Sequence, residues 1–227
     1  MAYQVYIALT TEGITDLRFL QGLVERTFLE KSFDVCESDV EFTVSIMDVD
    51  KTGLSFVEYV EKAAKQALDI GGMTMAVHTD ADRMTYLERR DNKIVPAEQR
   101  LSELSSEDYC ILLTPIIPVR MTEAWMLANR ELLRSEIGTE LTNAQLGIDG
   151  DPEQMADPKN KIIEAIRRAK NSEAPKQRVI VDDISELYSI LGNKIDICDL
   201  ERLDSFCRFE TEIINTLQKL KEEGFCH

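Results

Sequence analysis

The chain has 227 residues, of which 44% are hydrophobic and 30% charged. That is enough for one good core or a compact domain with an extension, and it excludes wholesale disorder. Forty-two acidic against 26 basic residues leave a formal net charge of −16, which excludes a generally basic nucleic-acid coat or a polybasic membrane binder but not an enzyme that reaches phosphates through metal ions.

Tyr3 to Leu9 is a short apolar run rich in β-formers, read as a first strand and not as a signal peptide. After Gly13, the residues Leu17, Leu20, Val24 and Phe28 fall at helical spacing. Phe42 to Met47 alternates like a strand. Ser55 and Glu58 form a capping box before the helical series Phe56, Val60, Ala63, Ala64 and Ala67, which Gly71-Gly72 should stop. Met73 to His78 is a buried-strand candidate. Arg83 to Glu107 is polar, a surface excursion with a helical signal near Glu98 to Leu104. Tyr109 to Val119 is another apolar run, and a helix with Met121, Ala124, Trp125 and Ala128 on one face should follow it.

Beyond Arg130 the strand signals fade. Gly138 to Asp157 reads as an irregular polar crossing. Asp157-Pro158 starts a helix, Asp183 can cap Ile184 to Leu191 with Gly192 closing it, and Asp204 can cap a last helix. The βαβα rhythm predicts an α/β fold: a mostly parallel sheet flanked by helices over residues 1–130, with residues 131–227 a helical extension packed on it. The cysteines (36, 110, 198, 207, 226) are scattered and hold no Cys-x-x-Cys pair, so neither a disulfide framework nor a zinc knuckle is expected. With two histidines, His78 and His227, nitrogen-rich metal sites are not expected either. No run of about 18 apolar residues exists to span a bilayer. A cytoplasmic protein with no membrane role is the expectation.

The segments Thr11 to Asp16, His78 to Arg83 and Thr122 to Trp125 all lie at carboxyl ends of predicted strands, where open parallel sheets bind ligands. In extended backbone, residues two apart project to one side, so Asp80 and Asp82 should point together toward Glu12. Three converging carboxylates repel unless a cation joins them, and Mg²⁺ (or Mn²⁺) takes carboxylates, water and substrate phosphate. The bland alternatives are turn or cap acids at Asp80 and Asp82, a solvated loop acid at Glu12, and a helix-dipole role for Asp16. A second pair, Asp48 and Asp50, reads as a turn before Gly53. His78 reads as a hydrogen-bonded core histidine, with support of the site as its second role. Trp125 reads as a core anchor.

Thr11-Glu12-Gly13-x-Thr15-Asp16-x-x-Phe19-Leu20, followed by a strand ending in Asp80-x-Asp82, resembles the TOPRIM (topoisomerase–primase) domain. Pro118-Val119-Arg120-x-x-Glu123-Ala124-Trp125, Asp157-Pro158-Lys159 and Ser205-Phe206-x-x-Phe209 extend the likeness, which is closest to compact bacterial TOPRIM-like proteins often found near defence genes. The resemblance implies a Rossmann-like TOPRIM core, Glu12 as acid/base residue and metal ligand, and Asp80 and Asp82 as Mg²⁺ ligands. Glu123, outside the minimal pattern, would be an extra ligand. Asp16, Arg83, Arg120 and Lys159 are candidates for supporting the ligands or contacting phosphate.

The expected activity is metal-dependent phosphoryl transfer, most simply hydrolysis of nucleic-acid phosphodiesters, with DNA ahead of RNA and a setting in anti-phage defence. Arg83, Arg89, Arg90, Lys93, Arg120, Lys159, Lys161, Arg167 and Arg168 form either a basic lip around the pocket or solvated faces of an acidic protein. One alternative is a non-catalytic regulatory or effector module acting with an ATPase partner, a homo-oligomer being compatible with either reading. The other is a different Mg²⁺-dependent phosphatase or nucleotide-binding α/β enzyme. Here Asp82 precedes Arg83 after a later strand, which fits haloacid-dehalogenase phosphatases poorly, and a nucleotide-sugar glycosyltransferase gives Glu12 no role.

Overall fold

The computed structural model describes residues 3–172 and 181–225, so Cys226 and His227 lie outside the described residues. The first half alternates as the sequence predicts: β1 (Tyr3–Thr10), α1 (Ile14–Val35), β2 (Val40–Ile46), α2 (Phe56–Asp69) and β3 (Thr74–His78). Then come α3 (Tyr86–Arg89), a π-helical turn (Arg90–Ile94), α4 (Val95–Ser102) and β4 (Leu113–Ile116). The sheet runs in the order β2-β1-β3-β4 with every pairing parallel. It is a Rossmann-like α/β fold with a helical C-terminal part.

Two cores cover the two sheet faces. Period-two alternation sends Ile7, Leu9, Ala76 and Ile116 to one face, and Ala8, Met75, Val77 and Leu113 to the other. The first core is closed by α1 and by helices from the second half: α5 (Thr122–Met126), α6 (Arg130–Ile137), α7 (Asn143–Leu146), α8 (Pro158–Lys170), α9 (Leu187–Lys194), α10 (Ile197–Leu200) and α11 (Asp204–Glu222). The second core lies under α2 and α4. Because the chain leaves β1 toward β2 and returns to β3 on the other side, the order reverses between β1 and β3. That is the topological switch point of an open parallel sheet.

Local chemistry sets most boundaries. Ser55 and Glu58 complete the capping box of α2, and Gly71, at φ +78°, turns the chain out of it. Asp157 accepts from the Asn160 amide with Pro158 opening α8. The polar excursion is more helical than expected, because Thr85 and Glu88 make a second capping box that starts α3 early. The crossing before Asp157 holds α7 and a 3₁₀ turn (Pro152–Gln154), and it buries Leu146, Ile148 and Met155 in the first core.

Three details correct the sequence reading. Asp204 does not cap α11; the Asp204 and Ser205 amides donate at 3.0 Å to the carboxylate of Glu153, reached from the crossing. Cys36 is disulfide-bonded, a pairing the scattered spacing did not announce, whereas Cys110, Cys198 and Cys207 are free. Gly192 does not end its helix but lies inside α9, where α9 crosses α1. A Cβ at Gly192 would lie 2.1 Å from the Phe19 carbonyl oxygen, which is why glycine stands there. Gly192→Ala is therefore expected to cost about 1–3 kcal/mol through overpacking against backbone. An unchanged urea midpoint would contradict the close crossing.

Trp125 is fully buried, donates to Ser205 Oγ at 2.8 Å, and meets the Phe206 and Phe209 rings at 5.1 and 5.9 Å between centroids. Such ring pairs add about 0.5–1.5 kcal/mol each beyond burial. Their role here is to clamp α11 against α5 and so hold the residues just before Trp125 at the sheet rim.

Candidate functional site at the switch point

The site is built where β1 and β3 end. The ladder register pairs Thr10 with Val77, so the chain beyond brings Thr11 and Glu12 beside His78 and Thr79. Beyond β3 the backbone stays extended, since the Thr79 and Ala81 amides donate to the Ile116 and Pro118 carbonyls at 3.0 Å. Alternation therefore sends His78 and Asp80 toward the first core and Thr79 toward the second. This divides the rim into two halves.

On the first-core half, His78 Nε2 lies 3.1 Å from both Asp80 Oδ1 and Thr122 Oγ1. The Thr122 amide, opening α5, donates to Asp80 Oδ1 at 3.1 Å. Asp16, in the first turn of α1, faces the same point, and one ligand-type atom from each of Asp16, His78 and Asp80 lies within 4.8 Å of the others. Gly13 makes room for this, because a Cβ there would sit 2.6 Å from Asp16 Oδ2. Next to it, the buried Glu123 accepts from the Tyr188 hydroxyl and pairs with Lys159 Nζ at 3.3 Å. Burial and the negative charges of Glu123 and Asp16 push the Tyr188 hydroxyl pKa far up, so it stays a donor.

On the second-core half, Thr79 Oγ1 donates to Glu12 Oε1 at 2.8 Å, and Lys93, on the π-helical turn, donates to the same oxygen. Lys51 donates to the Thr11 and Glu12 carbonyls, and Tyr59 donates to the Thr11 carbonyl at 3.2 Å, fixing the loop. Burial acts to raise the Glu12 pKa. The hydrogen bonds from Lys93 and Thr79 and the charges of Lys93 and His78 outweigh it and hold the carboxyl below its ordinary value.

Asp82 departs from the expected geometry. It adopts φ +55°, and Arg120, whose carbonyl accepts from the Asp82 amide at 2.9 Å, adopts φ +68°. These are the two left-handed non-glycine residues among those described, a strained pairing of the kind that collects at functional rims. The left-handed turn takes Asp82 out of the alternation, and its carboxylate meets Arg89 Nη2 at 2.6 Å. Asp80 therefore shares its side with His78 rather than with Asp82. Arg83 is exposed and Arg120 donates to the Asp82 carbonyl at 3.4 Å. Asp50 accepts from the Thr52 amide at 2.9 Å, as its turn reading requires.

The Asp16, His78 and Asp80 group could hold a metal ion. Two observations fit one. Asp16 is buried and makes no hydrogen bond or ion pair among the described residues, and His78 already turns Nε2 toward Asp80 Oδ1 at 3.1 Å. Carboxylates this close repel unless a cation joins them, and a neutral imidazole beside them can share that cation. Two carboxylates and one imidazole suit Mn²⁺ and other first-row divalent ions at least as well as Mg²⁺, which prefers oxygen throughout.

Without metal, burial alone would lower the His78 pKa; the hydrogen bond and charge of Asp80, joined by Asp16 and Glu12, overcome this and raise it. A raised histidine stabilises the fold fully below its unfolded pKa, near 6.5, and that contribution is lost as pH climbs through the higher folded pKa. Metal-free protein should therefore lose melting temperature as pH rises above about 6.5, and His78→Gln should flatten the profile. Metal affinity should move the other way, because ligation needs neutral imidazole. A metal-free profile that rises over this range in wild type would contradict the network.

No protein-family model, no curated protein and no solved structure matches the chain. The site is thus read from its own geometry. Among the described residues, no helix is long and apolar enough to cross a membrane.

Proposed function

We propose that this chain is a divalent-metal-dependent phosphoryl-transfer enzyme on a TOPRIM-like core, a nuclease that hydrolyses nucleic-acid phosphodiesters, DNA ahead of RNA. The observation that carries this reading is the convergence of Asp16, His78 and Asp80 within 4.8 Å at the switch point. In a chain at −16, a cation is the direct way to bring a polyanion to acidic groups.

Asp16, His78 and Asp80 would hold the ion, with Glu123 alongside and Mg²⁺ or Mn²⁺ as the ion. A bound divalent cation supplies Lewis-acid neutralisation of the phosphate and a more acidic water. Glu12, across the rim, would accept the proton of the attacking water; Thr79 orients its carboxylate. Lys51, Lys93, Arg89, Arg120 and Lys159, which lie around the acids, would contact phosphates, while Asp82 would be available as a ligand only if it leaves Arg89. A bacterial defence setting, a cytoplasmic location, self-association and an ATPase partner belong to the same reading. The Cys36 disulfide is the feature that weighs against the cytoplasm.

A second reading has an observation of its own. Glu12, Asp82 and Glu123 are each neutralised by a basic side chain of the same chain, namely Lys93, Arg89 and Lys159. A module that has replaced metal by internal ion pairs would look like this, and would act as a non-catalytic subunit. One assay separates them: single-stranded, duplex and supercoiled DNA and RNA, each with and without Mn²⁺. The enzyme reading expects cleavage that needs Mn²⁺. Absence of cleavage on all four, or cleavage indifferent to chelation, would remove it.

A further inference from the structure

Lys93 is the one basic group that reaches the carboxylate of Glu12 among the described residues, and its placement is unusual. It stands on the π-helical turn Arg90–Ile94, a form that is rare and concentrated at functional positions. Ile94, next in sequence, is fully buried in the second core, and Arg90 is tied to Glu98 and Glu212. The turn is thereby pinned on both sides while Lys93 projects to the rim. Its ammonium donates to Glu12 and, at 3.2 Å, to Thr79 Oγ1, and lies 5.0 Å from the Phe56 ring centroid. The side chains of Lys93 and Glu12 are 26% and 32% exposed, so the pair can open into solvent without moving the backbone.

A carboxylate that faces a metal-binding half-site from across the rim, yet already carries an ammonium, cannot serve both cations at full strength. We infer that Lys93 is a resident counter-ion of Glu12, which divalent-cation binding displaces, so that metal occupancy and the opening of the Glu12–Lys93 pair are one event. This rests on the metal site proposed above. The displaced ammonium, on its flexible stem, then faces the space where a substrate phosphate would lie. Empty, the site has the charge of Glu12 balanced by Lys93. Loaded, it turns Glu12 to the cation and frees the ammonium. Lys93 is a positioning residue in this scheme.

The test is a double-mutant cycle read as Mn²⁺ affinity by calorimetry, with no substrate. Lys93→Met keeps the aliphatic stem over Phe56 and removes the charge. In the wild-type background it should tighten Mn²⁺ binding by about tenfold, and in the Glu12→Gln background by less than about threefold, since contacting charges couple while distant ones add. Equal tightening in both backgrounds would mean that Lys93 acts only through its field, and would overturn the exchange. So would an unchanged affinity in Lys93→Met. If neither wild type nor Lys93→Met binds Mn²⁺, the metal site itself fails; if both bind it equally, only the exchange fails. Lys93→Arg, which can remake the pair, should restore wild-type affinity.

Discussion

Glu12→Gln is expected to lower Mn²⁺-dependent cleavage by about 10²–10⁴-fold, the usual contribution of a general acid or base. Glu12 lies two residues beyond the end of β1 at the switch point, its side chain 32% exposed, with one oxygen engaged by Thr79 and Lys93. Glutamine keeps an acceptor oxygen for both donors but cannot take a proton at the pH of the reaction. Stability should therefore stay within about 0.5 kcal/mol of wild type, as for surface changes away from the core. A variant that cleaves normally would take Glu12 out of the chemistry. One that unfolds easily would recast it as the structural partner of Lys93.

The same residue shows why the pair with Lys93 matters. A base that stays ionised below its ordinary range is weak in proportion. The Lys93 contact is a main reason the Glu12 pKa is low. In the metal-free site that contact keeps Glu12 ionised and its carboxylate a weak base.

How far the site was legible depended on which residues obey a period. The alternation of strand and helix, the parallel sheet and the two acidic loop segments all rest on local patterns, and those are visible in Tyr3–Leu9, Met73–His78 and the Ser55 capping box. The position of Glu12 at the rim follows from them. The pairing of Asp80 with Asp82 does not hold in the structure, because the same period-two rule is broken by the left-handed backbone of Asp82. Applied one step earlier, the rule joins His78 to Asp80, and that is the pair the structure brings together.

His78 looked like a core histidine because it sits in a fully buried strand, and buried it is. The sequence places the segments of Asp16 and Thr122 at the same strand ends, but not their side chains against His78. Lys51 and Tyr188 were missed for the same reason: each reaches the site from an element distant in sequence, and neither belongs to a motif. Gly192 was misread because a helix-ending glycine and a helix-crossing glycine look alike until the partner helix is in place. The Thr85–Glu88 box was readable and would have started the excursion helix correctly. Nothing in the spacing announces a π-helical turn at Arg90–Ile94, which is where Lys93 acquires its reach.

The claim on which the account depends is that Asp16, His78 and Asp80 hold one divalent cation, and calorimetric titration of Mn²⁺ tests it most directly. Asp80→Asn keeps an oxygen to accept from the Thr122 amide, so α5 should stay in place while a charged ligand is lost. Asp16→Asn removes a carboxylate of the ligand group, and where His78 is neutral, relief of the repulsion between Asp16 and Asp80 should leave metal-free stability equal or higher. Wild type is predicted to bind Mn²⁺ and to gain melting temperature with it, and both variants to bind at least about 100-fold more weakly, a loss at the upper end of what ligand-supporting groups contribute. Wild-type protein that takes up no Mn²⁺, or equal affinity in all three proteins, would contradict the account.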